Sequence, residues 1–419
     1  MTERTDLGMG PKEPSGVRTA AVLMIQLLCA GVSLITPAMA ILQEYWGSNP
    51  LTSALPVTLI STLPTLTTML GVLISGALVG KAVKPKTMAV VASVFFIVFG
   101  TLPFFFYGSY ALLLVCRALC GIGIGLMNPL ANTIILGCYS GSKKDSLLGY
   151  STLMINVGVL VLATLGGVLA GYGEGARFVF LSHLTGIISL VFAFMLPDPD
   201  LYQEDVAQEG VEDAEDAGKK KAKIPGSVWF CAFLLFFYGF FNYPTMLNQS
   251  TFIMNNGIDS AAAATLAALS SNCNTILGMV SAALFGRIFK KTPRWTMSVG
   301  MLSCAFGAFL IAGISTVPCI CIGQGFLGFG FRLWYPACFS WVSEVSDPAA
   351  NARGVSLMGI LMNLGNFVST YWLAFITMVT GDGVYFPCYV EICYLVLAAI
   401  LVAFLNPWSG RKAKEPAAA

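Results

Sequence analysis

Long apolar blocks separated by short charged segments dominate the chain. No Asp, Glu, Lys or Arg occurs between Arg18 and Glu44, Glu44 and Lys81, Asp145 and Glu174, Lys223 and Asp259, or Arg353 and Asp382. Each block holds at least one stretch of the roughly 20 residues that a helix needs to cross a hydrocarbon core of about 30 Å. Read between charges and Gly/Pro punctuation, the pattern predicts twelve spans at 19–42, 54–79, 87–107, 110–136, 149–172, 177–196, 227–252, 260–286, 295–314, 317–342, 354–379 and 384–406. The expected fold class is an all-α integral membrane protein. Arg4, Lys12 and Arg18 precede a first apolar run long enough to span, with no small-residue cleavage site after a short core, so that run is expected to be retained.

The basic residues give the spans a direction. With the N-terminus inside, all of the 23 Lys and Arg residues except Arg117, Arg177 and Arg332 fall on the cytoplasmic side. The positive-inside rule asks for that bias, and adding or removing one span would scramble it. Both termini are therefore expected in the cytoplasm of a multi-pass cell-membrane protein. Between the sixth and seventh spans, acids from Asp198 to Asp216 are followed by Lys219, Lys220, Lys221 and Lys223. Such a composition builds no core and predicts a cytoplasmic linker.

The two halves repeat at an offset of 207 residues (Pro37 to Pro244). SALPVTL (Ser53 to Leu59) recurs as SAAAATL (Ser260 to Leu266), and Leu70-Gly71 as Leu277-Gly278. GIGIGLMNP (Gly121 to Pro129) recurs as GFGFRLWYP (Gly328 to Pro336), and Asn156-Val-Gly158 as Asn363-Leu-Gly365. Six spans is an even number, so the repeats enter the membrane in parallel. The predicted organisation is an N-terminal tail (1–18), a six-helix bundle (19–196), the charged linker (197–226), a second six-helix bundle (227–406) and a C-terminal tail (407–419).

Parallel six-span halves resemble the major facilitator superfamily over essentially the whole chain apart from tails and linker. RALCGIGIGLMNP (Arg117 to Pro129) is similar to the fourth-helix motif of that family, an Arg followed by closely spaced glycines. SEVSDPAANARGVSLMG (Ser343 to Gly359) resembles its segment joining helices ten and eleven, with Glu344 and Arg353 as the acid and the Arg of an Arg-Gly pair. The resemblance implies a solute site between the halves near the midplane, lined by the first, fourth, seventh and tenth spans. It also implies conformational gating at Lys81, Arg287, Glu344 and Arg353. One departure stands out: GALVGKAVKPK (Gly76 to Lys86) has Gly80, and its counterpart Gly286, where the family's loop carries an Asp. The acidic latch of the outward-facing state therefore does not carry over.

Ionisable side chains inside spans are costly and usually face a cavity or a partner. Four qualify: Arg117, His183, Arg332 and Glu391. At about 1.5 Å per residue from the outer end, Arg117 lies roughly 10 Å deep and Arg332 roughly 22 Å, bracketing the midplane. A guanidinium keeps its charge and binds carboxylate or phosphate bidentately, which biases a cavity towards anions. Arg332 and Arg117 head the expected solute contacts, with Gln26, Asn242, Tyr238, Asn128, Trp334 and Tyr335 as polar and aromatic candidates. A salt bridge from Arg332 to Glu344 is the competing structural role. Glu391 and His183 are the candidates for proton coupling, both expected on peripheral helices near the outer interface. Asn156 and Asn363 hold equivalent repeat positions, which favours helix-to-helix glue.

The remaining features narrow the function. Of 419 residues 56% are hydrophobic and 11% charged, and a net charge of +2 suggests no nucleic-acid partner. The 12 cysteines sit in apolar blocks and are expected as free thiols without a metal. No GxxxxGK[ST], HExxH or GxSxG occurs, so neither a cofactor, ATP drive nor enzyme chemistry is expected. The reading is a monomeric secondary transporter, a symporter or antiporter in the lipid bilayer. Its expected partners are a small, anionic organic solute and either protons or a counter-solute. Proton-coupled multidrug efflux and a non-transporting membrane sensor or scaffold stay open as alternatives.

Overall fold

The structure, a computed structural model, describes residues 14–80, 82–197, 225–345 and 348–408. Lys81, the linker and the ends of both tails lie outside these residues. Among the described residues, twelve helices are long and apolar enough to cross a membrane: α1 (Gly16–Trp46), α2 (Leu59–Leu78), α3 (Pro85–Phe105), α4 (Tyr110–Cys138), α5 (Ser142–Ala170), α6 (Glu174–Ala193), α7 (Gly226–Leu247), α8 (Ser260–Lys291), α9 (Pro293–Ile314), α10 (Val317–Val345), α11 (Arg353–Thr380) and α12 (Phe386–Leu405). They coincide with the spans expected from the sequence. The differences lie at polar ends: α5 starts within the Lys143/Lys144 segment and α8 runs on to Lys291, because helical hydrogen bonding continues past the last apolar residue.

Local chemistry sets the helix ends. The Asp259 carboxylate caps α8, accepting from the backbone N–H groups of Ala261 and Ala262 at 3.1 and 3.0 Å. Asp382 does the same for α12, accepting from Val384, Tyr385 and Phe386 at 2.8, 2.9 and 3.1 Å. Between α2 and α3 the chain turns at Gly80 with φ 82°, a left-handed conformation that a side chain disfavours. Gly286 has no such constraint, since it lies inside α8. Pro37 divides α1, whose middle winds as 3-10 helix, while Pro244 lies within α7 three residues before its end.

Packing repeats with the sequence. α1 lies on α5 as α7 lies on α11; α2 crosses α4 as α8 crosses α10; α3 meets α6 as α9 meets α12. One apolar core is built mainly by α1–α6 and a second by α7–α12. Small residues allow the close crossings, as expected where lipid supplies no hydrophobic drive between helices. At the α2–α4 crossing Gly71 and Gly125 face each other, and a Cβ on either would strike the backbone of the opposite helix.

Between the halves, α5 packs on α8 and α2 on α11, exchanged partners under the repeat. The hydrogen bonds that join them include Thr62 to Thr370 at 2.7 Å, Asn272 Nδ2 to Thr164 Oγ1 at 2.8 Å, and the Ala40 N–H to Ser250 Oγ at 3.1 Å. All three lie towards the face opposite the N-terminus. That far face is held closed between the halves.

Candidate solute-binding site

A cavity of about 340 Å³ lies between the two halves. Its walls come from α1, α2 and α5 of the first half and α7, α8, α10 and α11 of the second. The polar lining is neutral except at one point. Ser271, Asn274 and Thr275 form a stripe on one face of α8, at the i, i+3, i+4 spacing of a helix. Ser33, Thr36 and Thr65 face them from the first half, and Tyr243 and Asn366 close the sides.

Arg332 supplies the single charge of this lining. It sits at about half the length of α10, roughly 22 Å along a helix that rises about 1.5 Å per residue. Its Nη2 donates to Asn156 Oδ1 of α5 at 3.4 Å, a bond that crosses between the halves. Asn156 is held for this by its own Nδ2, which donates to Thr152 O at 3.1 Å; the equivalent Asn363 donates likewise to Gly359 O at 3.0 Å. The guanidinium lies over Gly278 of α8, where a Cβ would occupy its place. Glu344 lies a dozen residues further along the same unbroken α10, roughly 18 Å away at about 1.5 Å per residue, so the expected competing salt bridge to Arg332 is not formed.

Arg117 has a different situation, and here the structure corrects the expectation of a cavity residue. It is fully buried inside the first bundle, because its guanidinium turns between α2 and α6. Nε donates to Ile60 O at 2.8 Å and Nη1 to His183 Nε2 at 3.1 Å, while Nη2 has no partner. Arginine only donates, so Nε2 of His183 is the acceptor; Nδ1 then carries the proton and gives it to Phe180 O at 3.0 Å. Both imidazole nitrogens are thereby occupied and a cation adjoins the ring. This arrangement suits a structural role for His183 better than proton carriage. Tyr243, which lines the cavity, lies beside Ser61 and Arg117 and separates the buried pair from the solute space.

The other candidates divide among supporting positions. Gln26 is buried and donates to Ser151 Oγ at 2.6 Å, tying α1 to α5. Tyr238 stacks on Phe331, with ring centroids 5.0 Å apart, and Trp334 is fully buried beside it. Tyr335 stacks on the other side of Phe331 at 4.9 Å. Asn128 is exposed at the break before Pro129. Asn242 donates to Glu391 Oε1 at 2.7 Å, and Thr245 Oγ1 to Glu391 Oε2 at 2.5 Å. Glu391 is therefore not lipid-facing at the periphery: it is fully buried, turned inward against α7. Of the gating candidates, Arg287 and Glu344 are exposed at the near ends of α8 and α10, Arg353 is half-buried at the start of α11, and Lys81 lies outside the described residues. Tyr243, Thr65 and the α8 stripe were missed in the sequence; the i, i+3, i+4 polar spacing in SSNCNT was the available signal.

The sequence model of the Major Facilitator Superfamily matches residues 21–370. The chain belongs to the major facilitator superfamily. It is thus a multi-pass membrane transporter, and the parallel repeat is the family's build. It is 21% identical over 379 residues to an uncharacterised transporter of the same type from Methanocaldococcus jannaschii, covering 84% of this chain and 88% of that protein. Solved structures with the same fold include a D-xylose-proton symporter (TM-score 0.73, 16% identity, 94% of this chain and 98% of that one). The xylose transporter of E. coli in a partially occluded inward-open conformation is another (TM-score 0.71, 15% identity, 93% and 97%). A nucleoside transporter matches at TM-score 0.67 and 12% identity, covering 93% of this chain and 98% of that one. At such identities these likenesses establish the transporter fold alone.

Proposed function

We propose that this facilitator is a secondary transporter that carries a small organic anion by alternating access around the cavity between its halves. The observation that carries the reading is Arg332: a guanidinium at mid-membrane, turned into the cavity, with a neutral asparagine as its partner and no carboxylate within ion-pairing distance among the described residues. A permanent charge in that setting favours a ligand that brings a carboxylate or phosphate to its donor fork. The surrounding Asn, Ser, Thr and Tyr groups suit hydroxyl or amide substituents on the same solute. A cavity volume of about 340 Å³ falls at the lower end of the range of small-molecule sites, about 300–1,000 Å³.

The basic face belongs in the cytoplasm of this reading, and residues 19–196 and 227–406 form the two rocking bundles. The closed far face is then extracellular, and the state described faces the cell interior. A lipophilic-cation exporter fits less well, since its cavity would hold a buried like charge.

The experiment is a thermal-stabilisation screen of the purified protein over organic anions, sugars, nucleosides and lipophilic cations. A solute that binds only the folded state raises the melting temperature, by about 2.7 kcal/mol of stabilisation at 100 times its dissociation constant. An anion is expected to give the largest shift and Arg332→Ala to abolish it. Stabilisation by cations or sugars that survives Arg332→Ala would overturn the anionic reading.

A further inference from the structure

Glu391 holds α7 on both sides of its proline. Asn242, two residues before Pro244, donates to one carboxylate oxygen at 2.7 Å, and Thr245, immediately after it, donates to the other at 2.5 Å. Between and beyond these anchors, Tyr243 and Met246 lie on the neighbouring face of the helix and line the central cavity. A carboxylate with two converging donors is thus connected through one turn of helix to the cavity wall. Pro244 has no N–H, so this turn lacks a backbone bond that would otherwise stiffen it.

The same carboxylate has a path to the far face. Thr245 Oγ1 lies 3.2 Å from Cys388 Sγ, and that thiol donates to Val384 O at 3.6 Å. Val384 lines a second, open cavity at the far face together with Thr58, Asn248, Thr370 and Gly383. The Val384 carbonyl marks the vestibule end, and the groups able to carry a proton from there to the carboxylate are the Cys388 thiol and the Thr245 hydroxyl. The titratable groups facing Glu391 are Tyr238 on α7, Cys304 on α9 and Cys388 on α12. Arg332 lies beyond Tyr238 and touches the same ring environment, and no cation directly faces the carboxylate among the described residues.

We propose that Glu391 is a proton-binding site, loaded from the far-face vestibule through Thr245 and Cys388, whose protonation turns two charge-assisted hydrogen bonds to α7 into weaker neutral ones across Pro244 and so loosens the cavity wall at Tyr243 and Met246. The step delivers one proton to the carboxylate: the Thr245 hydroxyl gives its proton to Glu391 and takes that of the Cys388 thiol, which is reprotonated by water from the vestibule. Ionised, the carboxylate accepts from both Asn242 and Thr245; protonated, its hydroxyl donates to Thr245 Oγ1, and the hydroxyl of Thr245 turns to Cys388. The inference rests on the transporter reading for its purpose, as the means by which a proton gradient drives the cycle. Its geometry does not involve the solute.

The test uses the proton itself as probe. Full-length protein in liposomes is titrated while infrared difference spectra follow the carboxylic C=O stretch, and hydrogen–deuterium exchange, corrected for intrinsic rates, follows residues 240–254. The wild type is expected to show a carboxylic band that grows on acidification together with faster exchange in that segment. Glu391→Gln, which mimics the protonated acid, is expected to lack the Glu391 component of that band, seen in the wild-type-minus-variant difference, and to exchange at the acid-like rate at every pH. Arg332→Ala, which removes solute binding, is expected to keep both signals, so loss of the anionic reading is distinguishable from loss of this one. A carboxylic band that titrates identically in wild type and Glu391→Gln, or exchange across 240–254 that follows pH in the variant as in the wild type, would overturn the proposal. Glu391→Asp controls for folding: restored titration with a shifted midpoint supports a proton site, and none at all in a folded protein contradicts it.

Discussion

Arg117 and Arg332 are the same side chain in the two halves of a repeat, and the protein uses them oppositely. Arg117 is consumed inside its bundle, where Ile60 O and His183 take its donors. Arg332 lies open to the cavity and reaches across to the other half. The difference lies in what each helix crossing offers. In the first half Gly125 meets Gly71 backbone to backbone, leaving no room for a side chain. In the second half Arg332 replaces that glycine, and the absence of a Cβ at Gly278 provides the bed along which its side chain lies. A glycine pair in one repeat has become a glycine and a binding group in the other.

Substitutions can break this comparison in order of effect. Arg332→Ala is expected to lower affinity for the stabilising anion about 100-fold, equivalent to about 2.8 kcal/mol, with the melting temperature of the solute-free protein little changed. Titration calorimetry and a thermal melt check the two halves of that statement. Arg117→Met should do the reverse. It leaves a buried imidazole and a buried carbonyl unpaired and is expected to cost about 1–3 kcal/mol of stability, while solute affinity stays within about twofold. Equal losses of affinity for both variants would erase the distinction.

The two glycines sharpen it further. Gly71→Ala drives a methyl into backbone that cannot move, with an expected loss of about 1–3 kcal/mol seen as lowered denaturation temperature. Gly278→Ala meets only the flexible end of Arg332, so stability should hold while anion affinity falls about tenfold, or about 1.4 kcal/mol. Asn156→Ala has the smallest effect. Removing one neutral partner from Arg332 is expected to change affinity by about 1 kcal/mol, roughly fivefold.

The twelve spans and the parallel halves were legible in the sequence because hydropathy and helix length are properties of consecutive residues. The cavity was legible only in part. Arg332 could be singled out because a charge in an apolar helix is visible along the chain, and the repeat marked it against Gly125. Its equal in appearance, Arg117, could not be separated from it, since depth in the membrane does not say which way a side chain turns. His183 and Glu391 are expected on peripheral helices, and the sequence likewise does not say that their side chains turn inward. The α6 ring meets Arg117 from α4, and the α12 carboxylate meets Asn242 and Thr245 from α7, contacts between helices far apart in sequence. Tyr243 and the Ser271, Asn274 and Thr275 stripe went unnoticed because small polar residues are common in membrane helices and matter only where they converge.

The chain by itself determined what had to be buried in lipid: blocks of apolar residues, their number, their direction from the basic segments, and their duplication at an offset of 207 residues (Pro37 to Pro244). Those follow from transfer free energies that add along the chain. Only the tertiary structure decided which polar groups inside those blocks see each other and which see the cavity. That choice depends on helix rotation and on ångström-scale crossings such as Gly71 on Gly125 and Gly278 under Arg332. A buried charge must find partners or a ligand, and packing alone settles which.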